Sequence, residues 1–135
     1  MSTWFISGHH DMTHSEFVEH LTPLLGSALA QPPAQFIVSD AFGADRLAQE
    51  YLAAAGATVR VYHTEPHPLH NAGGWPTVGP FETVEAMDIA MTEASEADIA
   101  WVRPGRADCR AGANLARRAG PVVSLGGRLR AWLVL

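Results

Sequence analysis

The residues best equipped for chemistry fall in short polar stretches, each following an apolar run. Ser39-Asp40-Ala41-Phe42-Gly43-Ala44-Asp45 follows Phe36-Ile37-Val38. Ser and Asp side chains compete for backbone hydrogen bonds and so stop a strand. Gly43 permits a tight turn or a close backbone approach. A carboxylate at Asp45 suits the unpaired N–H groups that open a helix. Strand, glycine turn and helix start form the geometry that holds an anion such as phosphate. Any strand-to-helix connection also has this pattern, so the stretch alone leaves both readings open.

The histidines offer a second chemistry. His9, His10 and His14 lie in one polar stretch, and His63, His67 and His70 in another. With Asp11 they have the donor types that suit zinc or a similar ion. Their spacings match no standard zinc motif, so we expect ligand hydrogen-bond donors or solvated loop residues, and no metal. In the second stretch, Asn71-Ala72-Gly73-Gly74-Trp75 carries an aromatic that either stacks on a base or pins the loop to the core.

These stretches need elements to position them. Trp4-Phe5-Ile6, Phe36-Ile37-Val38, Thr58 to Tyr62 and Asp98 to Val102 have the apolar, β-rich composition of strands. Thr13 to Glu16 matches a capping box, and Phe17, Leu21, Leu24, Leu25, Ala28 and Leu29 continue it on one helical face. Pro23 inside that run predicts a kink or two shorter helices. Further helices are predicted from Asp45 to about Ala55, over Thr83 to Ala94 with Met87 and Met91 in the core, and over Ala111 to Ala119. His63 to Pro80 is a long connection, and loops of that length are functional or disordered. Gly126-Gly127 could close a hairpin from Val122-Val123-Ser124-Leu125 into an antiparallel edge strand ending at Leu135.

Alternating strands and helices predict an α/β, Rossmann-like three-layer domain with a mostly parallel central sheet. Ligands then bind beyond the carboxyl ends of the strands. That rule gathers Gly8-His9-His10-Asp11, Asp40 to Asp45, His63 to Pro80 and Arg103 to Asn114 at one rim. The 135 residues fit one domain, 1–135, without internal repeats. With 47% hydrophobic and 17% charged residues the chain is expected to be globular. A net charge of −5 argues against a broad nucleic-acid surface, although Arg103, Arg106, Arg110, Arg117 and Arg118 form a local basic run. The single Cys109, the lack of a leader-like amino terminus and the lack of a long apolar segment lead us to expect a cytoplasmic protein without a membrane span.

Taken together, Ser7-Gly8-His9, Asp40-Ala41-Phe42-Gly43-Ala44-Asp45 and Ala97-Asp98-Ile99-Ala100-Trp101-Val102-Arg103-Pro104-Gly105 resemble the SLOG superfamily. Its members include the DNA-processing protein A core and the lonely-guy phosphoribohydrolases. The nearest resemblance is to small bacterial proteins of the YspA/YpsA-related type, over nearly the whole chain. It implies a Rossmann-like fold that binds a nucleotide or nucleotide-derived ligand, with no separate cofactor and two copies paired as a homodimer. By resemblance, Gly8 lets the first loop approach the ligand beside His9 and His10. Asp40, Gly43, Ala44 and Asp45 form a second wall. Arg103, Pro104 and Gly105 lead to a helix start that holds phosphate or ribose, near Arg110 and Asn114. From residue type rather than resemblance, Asn71 and Trp75 of the long loop are added as candidate ligand contacts.

Two departures bear on function. Similar small proteins carry Ser-Gly-Thr where this chain has Cys109-Arg110-Ala111, so Arg110 either grips the phosphate or closes the site. Met87 and Asn114 stand where lonely-guy hydrolases use Arg and Glu, and neither supports that chemistry. The main expectation is therefore binding of a nucleotide-derived small molecule. An N-glycosidic hydrolase or transferase is the alternative, with Asp45 or Asp11 as its catalytic carboxylate and Glu82, Glu85 and Asp88 as weaker candidates. A degenerate relative acting through protein contacts is the third reading. Cys109 as a nucleophile competes with a plain packing role.

Overall fold

Strands buried on both faces need apolar residues at every position, and that is how these strands are written. The computed structural model describes residues 2–119. β1 (Ser2–Ser7), β2 (Ala34–Ser39), β3 (Thr58–Tyr62), β4 (Thr77–Val78) and β5 (Ala97–Ala100) form one sheet in the order β4-β3-β2-β1-β5. Every pairing is parallel. The helices are α1 (His14–His20), α2 (Thr22–Leu29), α3 (Ala44–Ala54), α4 (Val84–Glu93) and α5 (Arg110–Ala119). The fold is thus the expected Rossmann-like α/β sheet. The predicted hairpin and edge strand, residues 120–135, lie outside the described residues.

Alternation along the strands divides the core. Trp4 and Ile6 of β1, Phe36 and Val38 of β2, Val59 and Val61 of β3 and Ile99 of β5 pack with Phe17, Leu21, Leu25, Ala48 and Leu52 from α1 to α3. Phe5, Ile37 and Tyr62 point the other way, onto Met87 and Met91 of α4. Each such side chain removed from water contributes about 1.5–3 kcal/mol. α5 packs on β1, β5 and α4. The long helical run splits as Pro23 predicted: it falls in the first turn of α2, where its missing N–H is not needed. The Thr13–Glu16 capping box is present, with bonds of 3.0 and 3.1 Å. The long connection adds β4, which composition did not foretell; Val61 N–H donates to the Pro76 carbonyl and His63 N–H to the Val78 carbonyl.

The chain runs outward from β1 through β4, then returns to β1's other side as β5. The order therefore reverses at β1, and the crevice of such a sheet opens there. Two glycines bring the surrounding loops together. A Cβ on Gly8 would stand 2.6 Å from Ala44 Cβ, and one on Gly43 would stand 2.3 Å from the His10 carbonyl oxygen. Gly43 also has φ +79°, which side-chain-bearing residues rarely adopt. We expect Gly43→Ala to cost about 3 kcal/mol or more, strain and overlap together, in chemical denaturation. The exposed Gly56→Ala, strained at φ +68° but meeting nothing within 4 Å, should cost less.

Candidate functional site

A cleft of about 100 Å3 opens at this reversal point, walled by Ser7, the last residue of β1, and Gly8 and His10 after it, Ala41, Phe42 and Asp45 after β2, and Arg106, Cys109 and Arg110 before and at the start of α5. Gly8, His9, His10, Asp45 and Arg110 were expected here and do meet. Ala41, Phe42 and Arg106 were not singled out. For Phe42 a signal existed: a large aromatic set among small and polar turn residues.

The first loop is fixed by Arg103. Its Nε and Nη2 donate to Glu16 at 2.9 and 2.7 Å, and its Nη1 to Asp11 at 2.8 Å. Its backbone N–H donates to His9 Nε2 at 2.7 Å. His9 is buried, and burial followed by the Arg103 charge lowers its pKa, so it is a neutral acceptor at that nitrogen. Hydrogen bonding to Arg103 holds Glu16 down at about 2 and lowers Asp11 as well. Asp11 is thereby an ionised, exposed partner of Arg103, placed to order its loop. Pro104 and Gly105, with φ +79° at the glycine, turn the chain from Arg103 toward α5.

The second wall uses its own groups. Ala44 N–H, at the start of α3, donates to the His9 carbonyl at 3.1 Å. Asp45 is buried and accepts from the Ser39 hydroxyl, which in turn accepts from Ala41 N–H at 3.1 Å. Burial raises the Asp45 pKa to about 7, with Arg110 and the Ser39 bond opposing the shift. Asp40 accepts from Leu69 N–H at 2.6 Å and so anchors the long connection.

Start of α5 forms the third wall. Cys109 caps the helix, its Sγ accepting from Gly112 N–H at 3.4 Å. Arg110 spans to α4, where Nε and Nη2 each donate to Asp88 at 2.6 Å. Asp88 is buried, so this pair ties α4 to α5 at the cleft's edge. The N–H groups of a helix's first turn have no carbonyl within the helix to reach, which leaves Arg110 and Ala111 to present theirs. Most telling is Ser7: only 6% exposed, its hydroxyl has no hydrogen-bond partner among the described residues.

Other expected residues lie elsewhere. Asn71 donates to the Trp75 carbonyl at 2.8 Å and accepts from its N–H at 3.0 Å, closing the long loop on itself. Trp75 borders a separate hollow with Thr58 and Val59 at the opening of β3, away from the cleft. Asn114 is buried and accepts from Arg117 at 2.6 Å, outside the cleft wall. The histidines are dispersed: His63 bonds the Glu65 carbonyl, His70 pairs with Glu50 and His20 stacks on Trp101. Among the described residues no group of three His, Cys, Asp or Glu could hold a metal ion, and no helix is long and apolar enough to cross a membrane. In comparisons with known proteins, no family model, no curated protein and no solved structure matches this chain.

Asp45 makes stability depend on pH. The folded chain retains its proton up to about 7, whereas the unfolded carboxyl ionises near 3.8. Between those values the folded state binds more protons, so this contribution is complete below about 4 and declines up to about 7. Asp45→Asn should remove that decline. Thermal melts from pH 4 to 9 should show the variant near wild type at pH 4, with a gap that widens to several degrees by pH 8.

Proposed function

We propose that this chain is a SLOG-like domain that binds a phosphate-bearing nucleotide or nucleoside-derived small molecule in the cleft at the carboxyl ends of β1, β2 and β5. The observation that carries the reading is the Ser7 hydroxyl, buried in the cleft wall without a partner among the described residues. An unsatisfied buried hydroxyl costs about 1–3 kcal/mol, and a ligand oxygen would complete it. The first-turn N–H groups of α5 and that helix's dipole favour a negative group at the same place. Arg110 adds charge: Asp88 takes two of its five N–H donors, and others remain. That pairing also draws the guanidinium toward α4, which argues against Arg110 having closed the cleft. Below about pH 7 Asp45 is neutral, which removes a repulsion that a phosphate would otherwise meet.

Ser7→Ala tests this directly. The hydroxyl has no partner among the described residues, so removing it relieves its desolvation cost and the melting temperature should hold or rise by a few degrees. Affinity for a 5′-mononucleotide in calorimetry should fall about tenfold, the worth of a hydrogen bond to a charged group. An unchanged affinity would remove Ser7 from the site.

Asp45 supports the second reading, an N-glycosidic hydrolase or transferase. A carboxyl poised near pH 7 can donate a proton to a departing base. Asp11, held ionised by Arg103, is the poorer acid. Incubation with a nucleotide panel and chromatography for free base decides it. Release abolished by Asp45→Asn establishes the enzyme; no release with intact binding leaves the binder.

A further inference from the structure

Phe42 is 64% exposed at the mouth of the cleft, in the turn between β2 and α3. Its ring is not loose. The Arg46 guanidinium lies 3.8 Å from the ring centroid, and Arg46 Nε donates to the Asp40 carbonyl at 3.2 Å. One face is thus covered by a side chain that is itself tied to the backbone. The pair presents a preformed aromatic surface beside His10 and Arg106, which share the cleft wall.

The cleft's size says what this surface is for. About 100 Å3 is well below the roughly 300–1,000 Å3 that encloses a drug-sized ligand. It suits the phosphate end of a nucleotide, against Ser7 and the start of α5, and leaves the base to lie at the mouth. We infer that Phe42, oriented by Arg46, is the stacking platform for the nucleobase. This rests on the binding reading proposed above and adds the subsite that recognises the base. Stacking uses the π-face that every base has, so the subsite accepts purines and pyrimidines with little discrimination. Phe42 acts through its ring face alone, which makes Trp or Tyr an adequate replacement and Ala not.

The test compares wild type, Phe42→Ala, Phe42→Trp and Arg46→Met against AMP, GMP, CMP, UMP and ribose 5-phosphate, by calorimetry. All variants are first checked by thermal melt, and Phe42 is exposed enough for Ala to fold. Phe42→Ala should weaken all four nucleotides by roughly tenfold, the worth of one stacked base, and leave ribose 5-phosphate within twofold. Phe42→Trp should bind as wild type or tighter, and Arg46→Met should lose part of the nucleotide affinity. Equal loss for nucleotides and ribose 5-phosphate, or no loss for either, overturns the platform while leaving the phosphate site standing. Absence of binding by wild type to all five compounds overturns both.

Discussion

One arginine holds the site's framework together. Arg103 follows β5, yet its partners Asp11 and Glu16 follow β1, and its own N–H reaches His9 in the same loop. Exposed ion pairs taken singly contribute little, because fixing two long side chains offsets the attraction. Here one planar fork serves two carboxylates, and the backbone beneath it is fixed by a further bond, so the ordering cost is shared. The loops bordering the reversal in strand order are thereby set before any ligand arrives. Gly8 and Gly43 complete the arrangement by letting the β2–α3 turn press against the same loop. The cleft is what remains between three loops that are fastened mainly to one another.

A different economy governs the floor of the cleft. Asp45, Asp88 and Arg110 lie close enough to influence one another, and two buried carboxylates, both ionised beside one half-buried guanidinium, would be costly to desolvate. Asp88 takes the guanidinium with two bonds of 2.6 Å, leaving Asp45 with a serine hydroxyl as its closest partner. Holding Asp45 neutral up to about pH 7 lowers the burden. The carboxyl best placed to move a proton is also the one that weakens the fold when it ionises. Such conflicts between stability and chemistry gather at functional sites.

The sheet was legible because it depends on local pattern. Trp4-Phe5-Ile6, Phe36-Ile37-Val38 and Thr58 to Tyr62 carry the composition of strands, and Thr13 with Glu16 announces a helix start without tertiary help. β4 was not legible, since two residues have no period and their pairing is made by Val61 and His63. The site was half legible. Polar turns at the strand ends identified the rim, and the resemblance supplied Gly8, His9 and Asp45. Partnerships were beyond reach: Arg103 meets Glu16 across 87 positions and Arg110 meets Asp88 across 22. Asn71 and Trp75 had residue types suited to a ligand, but an Asn side chain satisfies its own loop just as well. That Ser7 has no partner among the described residues is a property of its surroundings, which no residue type encodes.

The brevity of β4 protects the molecule from its neighbours. A parallel sheet ending in a full-length strand would offer a row of open N–H and C=O groups to any extended chain. Among the described residues the outer strand on this side is two residues, Thr77 and Val78, with Pro76 before it and Gly79-Pro80 after it. Proline cannot donate to a ladder, so a would-be added strand finds too few consecutive partners to hold. The long connection that crosses β3 thus doubles as a guard on that margin of the sheet, working against the self-templated fibrillar assembly that a bare β3 would invite.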